Sequence, residues 1–316
     1  MVRDNEALQR TDNVALKDME ESKPKYKKRW GDRVDGRLLR SLDPITQLIP
    51  YLMPTRSGSQ NLFNFSIPTT ELDSYVHRIR EERNLPGFGI MHVLIAAYVR
   101  AISQRPGINR FVSANRLYAR HGIEVIMAVK KELKLEAPET MIKFFFNPDA
   151  TIFDVYNQMT DKITQFQNSP SEEDIVVSLG RLFLRIPQIF LTMTFAFVRW
   201  LDTHGWLPRI LTKESPFHGS VLFTAIGSLG VPVIYHHLYD LGNVPVFVAF
   251  STNRRERKLL SDNVIGQTRY LDCNFTLDDR ICDGFYYASA MREIKKHLKN
   301  PHLLEVPPQE IVEDIY

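Results

Sequence analysis

Three carboxylates and a thiol are concentrated in one short stretch of the sequence. The segment Phe275–Ala288 reads FTLDDRICDGFYYA, with Asp279 and Asp283 on either side of Cys282. Its pattern predicts a strand that leads through a turn into a helix. A carboxylate in such a turn can accept a proton or pair with an arginine. Cys282 has no visible base beside it, so we expect a small buried hydrophobic side chain rather than a nucleophile.

A hydroxyl group on a glycine-containing turn is the second candidate. Phe223–Gly230 reads FTAIGSLG, and Thr224 lies near the end of the strand predicted there. Arg105–Asn109 (RPGIN) follows a predicted core helix, and Gly122–Val129 reads as a central strand. Together with the Asp-Gly pair at Asp283, these segments resemble, in the same order, the acyltransferase catalytic domains of 2-oxo acid dehydrogenase complexes and chloramphenicol acetyltransferase.

The resemblance spans residues 36–301 and implies a chloramphenicol-acetyltransferase-like two-layer α/β sandwich, with a mixed β-sheet covered by helices. It also implies a homotrimer with active sites between subunits, coenzyme A or acyl-coenzyme A as cofactor, and an acyl carrier supplied in trans. In that mechanism a histidine is the general base and a Ser or Thr hydroxyl, here Thr224, stabilises the oxyanion. Asp283 matches a carboxylate that forms a structural ion pair, for which we expect Arg37 or Arg40 as partner.

The sequence departs from the family pattern at the residue that matters most for chemistry. The family has His-x-x-x-Asp-Gly, and Asp279 occupies the place of the histidine. A free carboxylate has a pKa of about 3.9 and a thiol about 8.5, so the proton transfer is uphill by about 6 kcal/mol unless burial raises the carboxylate pKa. Asp278 precedes Asp279, but neighbouring residues of a strand face opposite sides and need not couple.

Three interpretations of Asp279 remain open. In the first, the protein is an acyltransferase that uses Asp279 as an altered base, or a displaced histidine such as His218, His236 or His237. In the second, acyl transfer is lost and an inactive trimer of the same fold binds a ligand or scaffolds a complex. In the third, the aspartate is a deliberate replacement. His236 and His237 follow the glycine-containing turn, and they fit either a loop pair bonded to backbone carbonyls or a role at the site.

Strands and helices alternate along the chain, which favours a mixed sheet covered by helices. Apolar alternation predicts strands over residues 61–68, 109–118, 122–130, 141–146, 219–227, 244–252 and 268–277. Helical spacing predicts helices that begin after Thr69 and others over residues 90–104, 152–166 and 284–299.

The most apolar stretch, Leu182–Leu201, lies in a helical insert at about residues 172–210. The uncharged run between Arg185 and Arg199 has 13 residues, short of the roughly 20 that a spanning helix needs. The segment therefore predicts either a helix packed on the core or another subunit, or a helix that contacts a membrane peripherally.

Composition places the chain among ordinary globular proteins. Its 316 residues are 44% hydrophobic and 24% charged, which excludes disordered and collagen-like classes. A formal net charge of +3 is too small to imply a nucleic-acid partner. We expect a polar and basic arm over residues 1–35, an acyltransferase-like domain over 36–305 and a tail over 306–316.

Several sequence signals are missing. The sequence has no Cys/His spacing typical of a metal site and no lipoyl module, so we expect no metal and a stand-alone relative of the family. Two cysteines are too few for a disulfide framework, and the N-terminal residues are charged throughout. These features predict a cytoplasmic or membrane-peripheral protein.

Overall fold

The computed structural model describes residues 28–130, 139–168, 185–259 and 265–315. The chain divides into two compact units, Met1–Asp32 and Arg33–Tyr316. Of the first unit only residues 28–32 are described, where the Asp32 N–H donates to the Arg29 carbonyl. The predicted arm over residues 1–35 therefore lies mostly outside the described residues and stays a prediction.

The second unit is a mixed α/β structure. Its strands are β1 Gly36–Leu38, β2 Gln60–Pro68, β3 Arg110–Ser113, β4 Arg116–Arg120, β5 Ile123–Lys130, β6 Glu139–Phe146, β7 Val221–Ala225, β8 Val246–Ser251, β9 Arg255–Leu259 and β10 Ile265–Asp278. Its helices are α1 Pro44–Leu52, α2 Thr70–Glu82, α3 Ile90–Gln104, α4 Ile152–Asn168, α5 Gln188–Thr203, α6 Arg209–Glu214 and α7 Gly284–Lys299.

The main sheet has the order β2-β10-β8-β7-β5-β6, and β9 pairs with the far end of β10. Strand β7 is parallel to both β5 and β8, whereas β10 is antiparallel to β2 and β8. Strands β1, β4 and β3 form a separate small sheet. The predicted fold class, a mixed sheet covered by helices, is confirmed.

One predicted strand is wrong. The stretch over residues 109–118 was expected to be continuous, but it contains the β3–β4 hairpin, which turns at Ala114 and Asn115. Both residues have positive φ, 48° and 55°, as a tight two-residue hairpin turn requires. Asparagine tolerates this backbone conformation but alanine rarely adopts it, so the turn lacks the usual glycine signal.

The two faces of the main sheet have different coverings. Alternate residues of β7 diverge: Phe223 joins the large core beneath the helices, whereas Leu222 joins a smaller cluster with Phe247 and Leu238. On the helical side, Tyr98 of α3 meets Phe223 edge to face, with ring centroids 5.5 Å apart. Thr224, two residues beyond Leu222, therefore lies on the face opposite the helices.

A buried carboxylate fixes the end of β10. The Asp278 side chain is fully buried and accepts from Arg280 Nε and Nη2, each at 2.8 Å. Arg56 Nε lies 3.5 Å from the same carboxylate, and the Arg56 guanidinium donates to the Tyr239 and Gly242 carbonyls. One carboxylate thus binds two buried arginines and connects three separate chain segments.

Arginine side chains bind the C-terminal residues to the rest of the domain. Arg110 donates from Nε to the Asp314 carboxylate at 2.7 Å, and both side chains are buried. The Val312 N–H donates to the Ser103 carbonyl, and Arg37 donates to the carbonyls of Asp314 and Ile315. The predicted tail over residues 306–316 is therefore held against the domain as far as Ile315.

Acidification should destabilise the fold through His92. Burial lowers the pKa of His92 from 6.5 to about 4, and its Nδ1 accepts from the Gly89 N–H. Since the folded pKa lies below the unfolded one, protonation favours unfolding, so stability is lost as the pH falls from about 6.5 towards 4. We expect the wild type to lose about 2 kcal/mol through this residue between pH 7.5 and 5.

Urea unfolding at both pH values, for the wild type and for His92→Gln, measures this contribution. The glutamine keeps an acceptor for Gly89 and does not titrate, so the loss on acidification should be about 2 kcal/mol smaller in the variant. An equal loss in both proteins would contradict the assignment.

Removing the charge of Asp278 should strongly destabilise the fold. Asp278→Asn leaves two buried arginines without their counter-charge, and we expect the free energy of unfolding to fall by about 3–5 kcal/mol. Asp272→Asn on the same strand is the matched control, because its partner Arg254 is partly exposed and such pairs contribute about 1 kcal/mol or less. Equal losses in urea unfolding would show that burial of Asp278 is not the cause.

Candidate functional site

The strand-to-helix turn that carries the three aspartates gives each of them a different environment. Asp278 is buried in its arginine pair, Asp279 is half-buried and Asp283 is exposed. The Asp283 carboxylate accepts from the Tyr286 N–H at 2.7 Å and so caps α7. The carboxylates of this turn therefore have different roles: Asp278 pairs with arginines, and Asp283 caps α7.

Asp279 is held by the edge strand β2. Its backbone N–H donates to the Ser59 carbonyl at 2.8 Å, and Asn61 Nδ2 donates to its Oδ1 at 2.8 Å. Within the described part of the chain, the side-chain contact of Asp279 uses Oδ1 only, which leaves Oδ2 able to accept a proton or a hydrogen bond. Asn61 gave no sequence signal, because only the pairing of β2 with β10 brings it here.

The ion pair predicted for Asp283 stays a prediction. The candidate partners have other contacts in this structure: Arg37 donates to the last carbonyls of the tail, and Arg40 donates to the Leu38 carbonyl at 3.1 Å. Arg110 does reach the strand-to-helix turn, where it donates to the Ile281 carbonyl at 3.3 Å.

Cys282 is buried within the turn. Burial raises the pKa of its thiol strongly, and the nearby Tyr287 hydroxyl and Arg110 charge offset this only in part. A thiol with a raised pKa carries little thiolate at neutral pH. The expected burial of Cys282 is thus confirmed, and its lack of a nucleophilic role stays a prediction.

Thr224 and Asp279 do not meet in one chain. Thr224 pairs with Ala249 of β8, which pairs with Asn274 of β10, and Asn274 precedes Asp279 by five residues. Two strand spacings and five residues of strand separate the two groups by roughly 20 Å. They cannot act on the same bond unless each is completed by a group from another molecule.

The histidine pair lies on the Thr224 side of the sheet. The His236 ring stacks on Phe247 with centroids 4.0 Å apart, and Phe247 is paired with Leu222 on the neighbouring strand. His237 is exposed and meets Tyr239 edge to face at 5.1 Å. His236 Nδ1 lies 2.9 Å from the His237 carbonyl, so the predicted loop pair bonded to a backbone carbonyl is present.

His218 lies in the loop before β7. It is buried, with Nε2 3.0 Å from Asp202 Oδ1 and Nδ1 2.8 Å from Ser215 Oγ. Its contacts join the C-terminal end of α5 to the loop before β7. Both ring nitrogens of His218 are thus engaged by Asp202 and Ser215, and its role as a displaced base stays a prediction.

Among the described residues, no group of three or more histidine, cysteine or acidic side chains could hold a metal ion. The chemistry available at the turn is consequently that of a half-exposed carboxylate with an amide neighbour. On the opposite sheet face it is that of a threonine hydroxyl on the same face as an imidazole pair.

No family model matches the sequence, and no curated protein matches it. Solved structures do match. A probable dihydrolipoamide acetyltransferase from Listeria monocytogenes is similar over 83% of this chain and 94% of its own, at TM-score 0.51 and 12% identity. The dihydrolipoamide acetyltransferase of Azotobacter vinelandii, studied for the catalytic roles of a serine, a histidine and an asparagine, is similar over 89% and 98%, at TM-score 0.52 and 10% identity.

The truncated catalytic core of the 2-oxoacid dehydrogenase multienzyme complex from Thermoplasma acidophilum is similar over 83% of this chain and 98% of its own, at TM-score 0.50 and 10% identity. Likeness at such identity concerns the fold. The mixed sheet, its helical covering and the coverage of nearly the whole of each neighbour agree with the resemblance seen in the sequence. The chain has the chloramphenicol-acetyltransferase-like fold of the dihydrolipoamide acetyltransferase catalytic domains.

Proposed function

We propose that this chain is a coenzyme-A-dependent acyltransferase-like protein that assembles as a homotrimer and has an altered catalytic base. The observation that carries the proposal is the separation of Thr224 and Asp279 within one chain. On the fold described above, the two groups become useful together only when one copy presents its Thr224 face to the Asp279 turn of the next copy.

The two groups have complementary chemistry. Coenzyme A, when bound, supplies the thiol or the thioester. Asp279 Oδ2 accepts the proton as the nucleophile attacks the acyl carbon, and it returns the proton to the leaving group when the tetrahedral species collapses. The Thr224 hydroxyl donates to the oxyanion in between. The donor set fits this role, because Asn61 uses only Oδ1 of the carboxylate.

The histidine pair offers a different base within the same assembly. His236 and His237 share the sheet face of Thr224, and His237 is exposed there. An imidazole has a pKa of about 6.5, much closer to that of a thiol than a carboxylate has. His237 is therefore the alternative to Asp279 as proton acceptor.

An inactive trimer that binds a ligand or scaffolds a complex is the second candidate. The aspartate at position 279 favours it, since a carboxylate is both a weaker base and a shorter side chain than the family histidine. An acyl carrier that brings the acyl group in trans is compatible with either candidate.

Thiol release from acyl-coenzyme A separates these possibilities. We expect the wild type to release thiol slowly, Asp279→Asn to be at least a hundredfold slower and Asp279→His to be faster, because a base contributes about 10²- to 10⁴-fold. His237→Ala should leave the rate unchanged. Asp283→Ala is unsuitable as a control because it removes the cap of α7, so Asp272→Asn serves instead.

Each other outcome identifies a different candidate. A rate that falls in His237→Ala and persists in Asp279→Asn would make the histidine the base. Activity found in Asp279→His alone would show that the wild type is the inactive form.

Mixing two damaged variants tests the shared site. Light scattering should give a particle of three times the chain mass of 36.7 kDa. Thr224→Ala and Asp279→Asn, each inactive alone, should recover about a quarter of wild-type activity when refolded together in equal amounts, because random mixing makes about one site in four intact. If properly mixed trimers recover no activity, Thr224 and Asp279 do not act together at one shared site.

A further inference from the structure

Helix α5 presents apolar side chains to solvent along most of its length. Of its residues, Asp202 alone is buried. Ile189, Phe190, Met193, Phe195 and Phe197 are each between 52% and 67% exposed. Monomeric proteins rarely leave contiguous apolar surface of this kind uncovered. The expectation that this segment packs on the core of its own chain is therefore wrong for α5.

The apolar surface extends around the helix. At 100° per residue, the polar side chains Gln188, Thr192, Arg199 and Thr203 fall on one narrow stripe. Apart from Thr194 and the buried Asp202, apolar side chains occupy the remaining circumference. A single flat protein partner would cover only part of such a surface. A lipid phase adapts to a wide apolar surface, while the polar stripe with Arg199 faces the headgroups.

The charges near the helix are mostly positive. Between Arg185 and Glu214 the basic residues are Arg185, Arg199, Arg209 and Lys213, and the acidic residues are Asp202 and Glu214. Asp202 points inward, where it accepts from Arg33 and contacts His218. Burial alone would raise the pKa of Asp202, but these partners outweigh it and lower the pKa, so the carboxylate stays ionised and paired. The outward charge of the segment is therefore positive.

The buried carboxylate also fixes the helix at one end. Arg33 donates to both the side chain and the carbonyl of Asp202, and the same guanidinium contacts Ser113 of the small sheet. The remaining length of α5, about 20 Å for the residues before Asp202, extends from this anchor.

Aromatic residues surround the anchored end. Trp200 stacks on Phe197 at 6.0 Å and meets Trp206 edge to face at 5.1 Å, and both tryptophans are exposed. Ile210 and Leu211 of α6 continue the exposed apolar surface. Tryptophan is enriched at membrane–water interfaces, where its ring is apolar and its N–H meets water.

We propose that α5 and α6 form a membrane-docking surface that inserts into the headgroup region of a bilayer rich in anionic lipid. The apolar circumference, the excess of basic over outward acidic residues and the exposed tryptophans carry this proposal together. The surface lies outside the Asp279 turn, so it stands independently of acyl transfer. No helix of the described residues is long and apolar enough to cross a membrane, and an interfacial helix does not need to be.

Vesicle flotation tests the proposal with full-length protein. We expect the wild type to float with vesicles of phosphatidylglycerol and phosphatidylcholine, to bind phosphatidylcholine alone at least tenfold more weakly, and to be released in part by salt. In Trp30→Phe, which leaves Trp200 and Trp206 as reporters, tryptophan emission should shift to the blue on addition of the anionic vesicles.

Phe190→Ser/Phe197→Ser should weaken the partitioning at least tenfold, and Arg185→Gln/Arg199→Gln should weaken binding to anionic vesicles alone. Leu52→Ser is the matched control, because Leu52 is an equally exposed apolar residue on α1 and should leave binding unchanged. Thermal unfolding of every variant shows whether the fold is kept.

Two results would overturn the proposal. In one, folded wild type fails to float with anionic vesicles at low salt. In the other, the phenylalanine variant lowers the particle mass in light scattering without any change in vesicle binding, which would assign the surface to a second copy of the chain.

Discussion

The buried carboxylate of Asp278 is the constraint on which the site depends. An ion of this kind is stable in the interior only when it is fully paired. One partner, Arg280, lies two residues away, and the other, Arg56, comes from the distant loop before β2. The Tyr287 hydroxyl donates to the Asp278 carbonyl at 2.7 Å, which ties α7 to the same point. The end of β10 is thereby fixed, and with it the position of Asp279.

Because side chains alternate along a strand, the candidate catalytic groups lie on different faces of the sheet. Asp278 faces the arginines, so Asp279 points to the other side of the sheet, where it contacts Asn61 of β2. Thr224, two strands away, lies on the face that the loop around Leu238 covers. Because a sheet cannot bend these groups together, a reaction that needs both must draw them from different copies. If the proposed reaction uses both groups, the sheet geometry itself requires the proposed oligomer.

The sequence predicted best where local signals agree with packing. The bounds of α3 and α7 follow from their apolar spacing and from Pro106, Pro301 and the Asp283 cap. The β3–β4 hairpin was missed because Ala114 replaces the expected glycine. Arg56 and Asn61 could not be predicted as neighbours of the strand-to-helix turn with the three aspartates. More than 200 residues separate them from it, and only the register of β2 on β10 brings them close.

The environment of the apolar helix α5 could not be predicted from its sequence pattern alone. A run such as IFLTMTFAFV is equally consistent with a core helix and with an interfacial one, because both exclude charge. The positions of the few polar side chains distinguish a core helix from an interfacial helix. Asp202 is drawn inward by Arg33 and His218, whereas Arg199 stays on the exposed stripe. A core helix would bury its aromatic residues around such an anchor. Here the anchor is buried and the aromatic residues are exposed, so the helix is held by its polar end and presents its apolar length outward.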